Sequence, residues 1–324
     1  MDRQIHVLNI EPDGYSAEAK AILESFAIVD EKRLSKDELL SEIHKYDVLI
    51  TRLGYYIDQT IIQNGSRLKA IATATTGLDH IDTTVAESLG IKVISLQGET
   101  EFLEGITATA EHTFALILAL CRKIPFAFNS VCAGKWDRDT FKGTQLKGKT
   151  LGIMGFGRLG RMVADYGICF RMKVLVYDSQ VNISNTNVCQ VSFDELLGLS
   201  DIVTLHLPLN DGTKGLIGRK EIFSMKKGAF LINTSRGKLI DEIALLEALE
   251  SEHLGGVAVD VVSDELMPDS KLSEQPHVRY AQKHSNLIIT PHIGGATWES
   301  MKDTEVFIAN KIKNFAMKKA NMKI

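Results

Sequence analysis

Ionisable side chains of three types follow short apolar segments in the second half of the sequence. Arg236 follows one such segment and His292 follows the last, while Asp260 and Glu265 come after the segment between them. A guanidinium can bind a carboxylate through two hydrogen bonds and polarise a neighbouring ketone. An imidazolium can donate a proton to a developing alkoxide, and a nearby carboxylate can keep that imidazole charged and oriented. These are the groups that reduction of a 2-keto acid requires.

A glycine-rich turn precedes these residues. Gly155, Gly157 and Gly160 have the GxGxxG spacing, after an apolar segment and before a helical pattern. The first glycine permits a tight turn, the second lets the backbone approach a pyrophosphate, and the third lets helix and strand pack closely. The amides at the helix start, with Arg158 and Leu159, favour phosphate together with the helix dipole. The turn therefore predicts a dinucleotide site.

Asp178 ends the next apolar segment, 18 residues after Gly160. At this position a carboxylate can accept hydrogen bonds from the adenosine ribose hydroxyls, and it would repel a 2′-phosphate. Ser179 and Gln180, which follow it, supply no cation that would reverse this preference. The sequence therefore predicts NAD rather than NADP as the cofactor.

Short apolar segments alternate with helical patterns along the whole chain. In the first half the predicted strands are Ile5–Leu8, Asp47–Thr51, Ala70–Ala74 and Ile91–Ser95. In the second half six strands are predicted: Thr150–Met154, Lys173–Tyr177, Ile202–Leu205, Ala229–Asn233, Gly256–Asp260 and Asn286–Thr290. Such alternation is typical of parallel sheets covered by helices on both faces. The predicted fold class is α/β, and ligands of such sheets bind at the carboxyl ends of the strands.

Two long helical patterns, Ala108–Lys123 and Thr297–Met317, flank the second half. A chain of 324 residues suits two domains. A domain whose last helix returns to pack on its first would place the domain boundaries near these two helices.

Composition excludes several classes of function. The net charge is −4 and the sequence pI about 6.2, so neither a nucleic-acid surface nor a polybasic membrane patch is indicated. The four cysteines form no CxxC pair and have no metal-ligand spacing, which favours reduced thiols in a cytoplasmic protein without a metal. The amino terminus lacks the apolar core of a signal peptide, and no apolar run is long enough to span a membrane.

From about residue 46 to residue 298 the sequence resembles the D-isomer-specific 2-hydroxyacid dehydrogenases. The motifs that carry the resemblance are Thr76–Asp82, Ala110–Thr113, the glycine turn with Asp178, Leu205–Leu209, Asn233–Gly237, Gly256–Asp260 and Pro291–Gly295. The resemblance implies that Arg236, Glu265 and His292 are catalytic. It also implies that a Rossmann cofactor domain, residues 105–293, is inserted into a flavodoxin-like substrate domain made of residues 1–104 and 294–324. A homodimer formed through the cofactor domains is expected.

The same resemblance extends the site. It implies that Asp260 lies near the nicotinamide end of the cofactor, and that the pocket includes the motif residues His206, Pro208, Thr234, Ser235 and Gly295. For the substrate, the amides of Thr76 and Gly77 would bind the carboxylate beside Arg236. Arg52 falls where relatives acting on phosphorylated acids place a substrate-contacting arginine, although a surface arginine at a strand end fits equally well.

The sequence departs from the family around Glu265. Many members read Asp-Val-Phe-Glu-x-Glu-Pro where residues 260–266 read Asp-Val-Val-Ser-Asp-Glu-Leu. Glu265 keeps its place, and Asp264 is the alternative carboxylate. For Glu111 and His112, which are adjacent on a helical pattern, capping or interface packing is expected rather than acid–base work. The acidic run at 98–104 disfavours a doubly charged phosphate unless Arg52 and its neighbours compensate.

The predicted function is hydride transfer between NAD(H) and a D-2-hydroxy acid or 2-keto acid. Arg236 would bind the carboxylate, and the pair His292–Glu265 would act as acid and base. An NAD-sensing regulator or corepressor on the same fold is the alternative. Formate dehydrogenase-like chemistry is disfavoured, because relatives of that type have glutamine where Glu265 stands. Feedback by serine is not expected, since the sequence shows no carboxyl-terminal regulatory domain.

Overall fold

The strands belong to two separate parallel sheets. The computed structural model describes residues 4–184, 187–263, 265 and 269–321. The chain divides into two compact units: unit 1, Met1–Gly105 with Thr297–Ile324, and unit 2, Ile106–Ala296.

Strands and helices alternate as the sequence predicts. The strands are β1 Ile5–Asn9, β2 Ala27–Glu31, β3 Val48–Thr51, β4 Ala70–Thr73, β5 Lys92–Ile94, β6 Thr150–Met154, β7 Lys173–Tyr177, β8 Cys189–Gln190, β9 Ile202–Leu205, β10 Phe230–Asn233, β11 Gly256–Val259 and β12 Leu287–Ile289. The helices are α1 Ala17–Glu24, α2 Lys36–Glu42, α3 Gln59–Asn64, α4 Thr83–Ser88, α5 Thr100–Glu104, α6 Ala108–Cys121, α7 Ile124–Cys132, α8 Arg158–Cys169, α9 Phe193–Leu199, α10 Arg219–Ser224, α11 Glu242–Glu250, α12 Asp269–Leu272, α13 Pro276–Ala281 and α14 Trp298–Asn321.

Unit 1 contains a five-stranded sheet in the order β2-β1-β3-β4-β5, and all its pairings are parallel. This is the flavodoxin-like order, in which the chain reverses direction across the sheet between β1 and β3. Strands β3 and β4 are buried along their whole length, which explains their continuous apolar sequence. The sequence does not predict strand β2, because a short apolar run ends at Val29 and two acidic residues, Asp30 and Glu31, complete the strand.

Unit 2 contains a seven-stranded parallel sheet in the order β12-β11-β10-β9-β6-β7-β8. The chain starts at β6 in the interior, proceeds through β7 to one edge, and then returns to β9 and the other edge. Cofactors of doubly wound sheets bind outside the carboxyl ends of the strands at such a reversal. The predicted α/β class with a Rossmann unit and a flavodoxin-like unit is confirmed. The two-residue edge strand β8 was not predicted from the sequence.

Helix α6 packs on the sheet of unit 2 through buried residues that include Ala110, Phe114 and Ile117. Helix α11 begins after Asp241, whose carboxylate accepts the amides of Ile243 and Ala244 and so caps the helix.

Within the described ranges, no single helix is both long and apolar enough to cross a membrane. One bent pair, residues 100–121 with Ile124–Cys132, meets the length and composition criteria together.

Candidate active site

The glycine turn connects β6 to α8 as the sequence predicts. Gly155 has φ +93°, and a Cβ there would lie 2.4 Å from the carbonyl oxygen of His206. A Cβ on Gly160 would lie 2.1 Å from the carbonyl oxygen of Gly155. At Gly157, by contrast, a Cβ would meet no atom within 4 Å. Packing therefore requires the first and third glycines, whereas the second borders open space that a pyrophosphate can enter.

The start of α8 is suited to an anion. Its N-cap residue, Gly157, offers no side chain to the first amides of the helix. These amides can therefore donate to phosphate oxygens at the positive end of the helix dipole. Arg158 donates from Nη1 to the carbonyl oxygen of Ile106 at 2.5 Å, and burial lowers the pKa of its guanidinium. Leu159 lies half-buried in the first turn.

Asp178 follows β7 and is bonded directly to the glycine turn. Its Oδ2 accepts the amide of Phe156 at 2.8 Å, and its Oδ1 accepts the amides of Gln180 and Val181 at 2.8 and 3.2 Å. These bonds fix the carboxylate at the end of the strand. Since a carboxylate offers about four lone-pair positions, Oδ2 can still accept a hydrogen bond from a ribose hydroxyl. The residues present therefore fit NAD.

His206 follows β9 at the same edge of the sheet. Its Nε2 lies 3.0 Å from Oγ1 of Thr204, and burial lowers the pKa of the imidazole to about 4. The ring is therefore neutral at physiological pH and cannot be the charged proton donor. Pro208, two residues further on, accepts the hydroxyl of Thr213 through its carbonyl oxygen at 2.6 Å.

The loop after β10 carries Arg236 in a fixed backbone conformation. Asn233 donates from Nδ2 to the carbonyl oxygen of Arg236 at 2.8 Å and accepts the amide of Ser235 at 2.9 Å. A Cβ on Gly237 would lie 2.1 Å from the carbonyl carbon of Val262, so only glycine fits where the two loops cross. Arg236 is half-buried, and its Nη1 donates to the carbonyl oxygen of Ser235 at 2.7 Å.

Hydroxyl groups fix the rest of this loop to its neighbours. Ser235 donates from Oγ to the carbonyl oxygen of Leu205 at 2.7 Å. The hydroxyl of Thr234 lies 2.7 Å from that of Thr113 on α6. Both side chains are therefore bonded within the protein and hold the loop after β10 in place.

His292 and Glu265 contact each other, as the sequence predicts for a proton donor and the carboxylate that orients it. Nδ1 of His292 lies 2.6 Å from Oε2 of Glu265, and the side chains are 23% and 29% exposed. The other carboxylate oxygen, Oε1, accepts the amide of Val262 at 3.3 Å. The alternative carboxylate, Asp264, lies outside the described residues. His292 has φ +53°, a left-handed conformation that non-glycine residues seldom adopt.

Asp260 lies beneath this histidine and is 1% exposed. Its Oδ1 accepts the hydroxyl of Thr290 at 2.5 Å and the amide of Ile293 at 2.9 Å, and its Oδ2 accepts the amide of Gly294 at 2.7 Å. Burial alone would raise the pKa of Asp260. The hydrogen bonds from His112, Thr290 and the two amides outweigh that effect and lower it. The carboxylate is therefore ionised and holds the turn that contains His292, and Gly295 follows that turn.

Unit 1 holds the predicted substrate residues at the ends of β3 and β4. Thr75 donates from its hydroxyl to the carbonyl oxygen of Gly77 at 2.8 Å. Among the residues that the structure describes, the amides of Thr76 and Gly77 donate to no protein acceptor. Both amides are thus available to a ligand.

Arg52 is engaged within unit 1. Its Nη1 lies 3.2 Å from Oε1 of Glu305, and its Nη2 donates to the carbonyl oxygens of Glu11 and Asp13 at 3.0 and 2.7 Å. Glu305 is 1% exposed and also accepts the amide of Ser16 at 2.6 Å. The surface-arginine interpretation is incomplete, because this guanidinium neutralises a buried carboxylate.

Comparison with known proteins identifies the family. Residues 114–294 match the model of the D-isomer-specific 2-hydroxyacid dehydrogenase NAD-binding domain. The chain belongs to this family. It is 37% identical over 284 residues to the hydroxypyruvate reductase of Thermotoga maritima, which covers 88% of this chain and 89% of that protein.

Two further relatives differ in the share of their own length that this chain covers. The D-3-phosphoglycerate dehydrogenase of Archaeoglobus fulgidus is 38% identical over 287 residues, which covers 87% of this chain and 52% of that protein. The chain thus spans about half the length of the curated phosphoglycerate dehydrogenase. The crystal structure of the D-lactate dehydrogenase from Aquifex aeolicus, complexed with NAD and lactic acid, has a TM-score of 0.84 and 28% identity and covers 98% of this chain and 96% of that one. The cofactor of the chain is NAD.

For His112 the sequence predicts capping or interface packing, and the structure shows which residues it contacts. Its Nε2 lies 3.1 Å from Oγ1 of Thr290 and 3.3 Å from Oδ1 of Asp260. Its neighbour Glu111 instead accepts the hydroxyl of Thr107 at 2.5 Å, a contact within the first turn of α6. The sequence gives no signal for the His112 contact, because Thr290 is 178 residues away along the chain.

Proposed function

We propose that the chain is an NAD-dependent D-2-hydroxyacid dehydrogenase, which transfers a hydride between NAD(H) and C2 of a 2-keto acid or D-2-hydroxy acid. The observation that carries this proposal is the contact between Nδ1 of His292 and Oε2 of Glu265 at 2.6 Å. We also propose residues 105–293 as the cofactor-binding domain and residues 1–104 with 294–324 as the substrate-binding domain.

Different residues of unit 2 have different roles in the reduction of a keto acid. Bound NADH supplies the hydride. Arg236 binds the carboxylate of the substrate and polarises its ketone, because a planar guanidinium can hold two oxygens at once. His292 gives the proton at Nε2 to the developing alkoxide, since Nδ1 is held by Glu265. In the oxidation direction the same Nε2 takes the proton, and Glu265 stabilises the imidazolium that forms.

The cofactor site proposed in unit 2 consists of residues at the carboxyl ends of its strands. They are Gly155, Gly157, Arg158, Leu159, Gly160, Asp178, His206, Pro208, Thr234, Ser235, Asp260 and Gly295. The amides near Gly157 would bind the pyrophosphate, and Asp178 would bind the adenosine ribose. The neutral ring of His206 contributes a wall to the pocket.

The substrate residues proposed in unit 1 are Thr76, Gly77 and Arg52. No acceptor in the described part of the chain binds the amides of Thr76 and Gly77, which supports their role as ligands of the substrate carboxylate. The guanidinium of Arg52 is less available to a substrate, because Glu305 and the carbonyl oxygens of Glu11 and Asp13 already bind its terminal nitrogens. A phosphorylated acid would have to draw Arg52 away from the buried Glu305.

A homodimer in the cytoplasm is proposed for the assembled enzyme. Helix α7 has no buried residue although its sequence is apolar, and Phe128 on it is 65% exposed. Trp136, which follows the helix, is 90% exposed. A surface of this kind on a cofactor-binding domain suits a second copy of the same domain. The four free thiols fit a reducing compartment.

A screen for NADH oxidation tests the activity. The purified chain would be mixed with NADH and a panel of 2-keto acids, which includes glyoxylate, hydroxypyruvate, pyruvate and phosphohydroxypyruvate. We expect turnover of at least one acid by the parent and about 100-fold less by His292→Asn. Tight NADH binding without turnover of any acid in either direction would refute the proposed activity.

A further inference from the structure

We propose that His112 is a positioning residue, which holds the catalytic His292 in place through Thr290 and Asp260. The inference rests on the proposed function, and it assigns a role to a side chain that the catalytic scheme does not use. The ring of His112 and the amides after His292 bind the same carboxylate. A single hydrogen-bonded network thus connects helix α6 to the turn after β12.

The donors and acceptors in this network can be assigned. The Asp260 carboxylate is ionised and therefore only accepts. The hydroxyl of Thr290 has one proton, and its 2.5 Å contact with Oδ1 of Asp260 shows where that proton points. The oxygen of Thr290 must then accept from Nε2 of His112, which lies 3.1 Å away. Nε2 of His112 therefore carries a proton, and the same N–H faces Oδ1 of Asp260 at 3.3 Å.

The turn that carries His292 depends on Asp260 at three successive amides. The amide of His292 donates to the carbonyl oxygen of Asp260 at 2.9 Å. The amides of Ile293 and Gly294 donate to its two carboxylate oxygens at 2.9 and 2.7 Å. These bonds hold His292 in its left-handed conformation at φ +53°. A strained backbone conformation of this kind persists only where several surrounding interactions enforce it.

Burial makes the contribution of His112 difficult to replace. Its side chain is 17% exposed, and that of Asp260 is 1% exposed. Without the ring, the Thr290 hydroxyl loses the donor that fixes its orientation, and a buried carboxylate loses a charge-assisted partner. The His292 ring would then sample positions in which Nε2 no longer faces the ketone oxygen. A displacement of about 1 Å in such a site can lower the rate by up to about 100-fold.

The test compares two variants with a matched control. His112→Leu removes the donor at similar volume, whereas His112→Gln places an amide N–H where Nε2 stood. Glu111→Gln is the control, since it changes the adjacent residue, whose contact lies within its own helix turn. Each variant would be examined for kcat and KM, for NADH affinity by fluorescence, and for the ring signals of ¹⁵N-labelled histidine. His292→Asn identifies the His292 signals among the nine histidines.

We expect His112→Leu to lower kcat about 10-fold, to shift the His292 ring signals, and to leave the Kd for NADH within about 3-fold of the parent. His112→Gln should restore both the rate and the signals to near the parent values, and Glu111→Gln should change neither. Unmoved His292 signals in His112→Leu, or equal losses in the Leu and Gln variants, would overturn the inference.

A second pair of variants keeps the test decisive if His112→Leu does not fold. Thr290→Val removes the hydroxyl between His112 and Asp260, and Thr290→Ser retains it. The valine variant should shift the His292 signals and lower kcat, while the serine variant should not. If the parent showed no turnover, only the proposed activity would be refuted. The positioning role of His112 would still be tested, because the ring signals report the position of His292 without any substrate.

Discussion

Nδ1 of His292 lies 2.6 Å from Oε2 of Glu265, and this contact leaves Nε2 as the ring nitrogen that can exchange a proton with a substrate. The carboxylate is fixed in turn by the amide of Val262. The backbone of the histidine is fixed by Asp260 at another strand end, whose carbonyl oxygen accepts the amide of His292 and whose carboxylate accepts the next two amides. The orientation of the ring and the position of its backbone are therefore controlled by two separate residues.

The first prediction concerns the charge of Glu265. In Glu265→Gln the side chain keeps its size but no longer favours the imidazolium form of His292. We expect kcat for reduction to fall about 10-fold or more at neutral pH, because the ring is no longer held by a charged partner. Stopped-flow measurements of NADH oxidation check this. Glu250→Gln, on the exposed end of α11, is the control, and an unchanged kcat in Glu265→Gln would exclude the pairing.

The second prediction separates the ring of His292 from its backbone conformation. Asparagine tolerates φ +53°, whereas a β-branched residue does not. His292→Asn should therefore keep the stability of the parent and lose about 100-fold or more in kcat. His292→Val should lose the same activity and in addition about 1–3 kcal/mol of unfolding free energy. Urea unfolding together with turnover distinguishes the two effects, and equal stability of both variants would contradict the claim of backbone strain.

The third prediction concerns the choice between NAD and NADP. Asp178→Ser removes the charge that would repel a 2′-phosphate. The ratio of kcat/KM for NADH to kcat/KM for NADPH should fall about 10-fold or more. Asp211→Ser, which removes an exposed acid from the loop after β9, should leave the ratio unchanged. If Asp178→Ser weakened both cofactors equally, Asp178 would act only by holding the glycine turn through Phe156.

The fourth prediction concerns the buried pair of Arg52 and Glu305. Burial raises the pKa of Glu305, and Arg52 opposes that rise. A carboxyl whose pKa is raised in the folded state destabilises the fold above its ordinary pKa, and the effect disappears as the pH falls below that value. Arg52→Met should therefore lose about 3 kcal/mol of unfolding free energy at pH 8 and less at pH 5.

The control for this prediction is the double variant Arg52→Met/Glu305→Gln, which leaves no charge at this buried pair and should recover most of the stability at pH 8. Urea unfolding at both pH values provides the measurement. A stable Arg52→Met variant with a strongly raised KM for a keto acid would show instead that Arg52 acts on substrate.

The parts of the site that the sequence predicts depend on local geometry, on the common direction of parallel strands or on the family resemblance. Gly155 and Gly160 are required by close contacts within one strand–turn–helix unit, so their spacing alone indicates the turn. Arg236 and His292 were placed at one sheet edge because parallel strands end on the same side. The pairing of His292 with Glu265 followed from the chemistry of the two groups together with the family resemblance.

The parts that the sequence did not predict depend on tertiary packing or on weak local patterns. Strand β2 carries too few apolar residues to stand out, and its pairing with β1 determines its conformation. His112 meets Thr290 only because α6 packs on the sheet beside β12. The left-handed backbone of His292 has no residue-type signal, because glycine or asparagine would be the expected residue there.

The last prediction concerns the apolar surface formed by α7 and Trp136. The chain has two tryptophans, and both are exposed: Trp136 is 90% exposed and Trp298 is 88% exposed. Of the two, Trp136 is the one that follows α7, an apolar helix without buried residues. If a second copy covers this surface, Trp136→Ser should shift the sedimentation coefficient from that of a dimer towards that of a monomer at micromolar concentration. Trp298→Ser removes an equally exposed ring from unit 1 and should leave the dimer intact. A parent that sediments as a monomer, or two variants that dissociate equally, would show that α7 is not the interface.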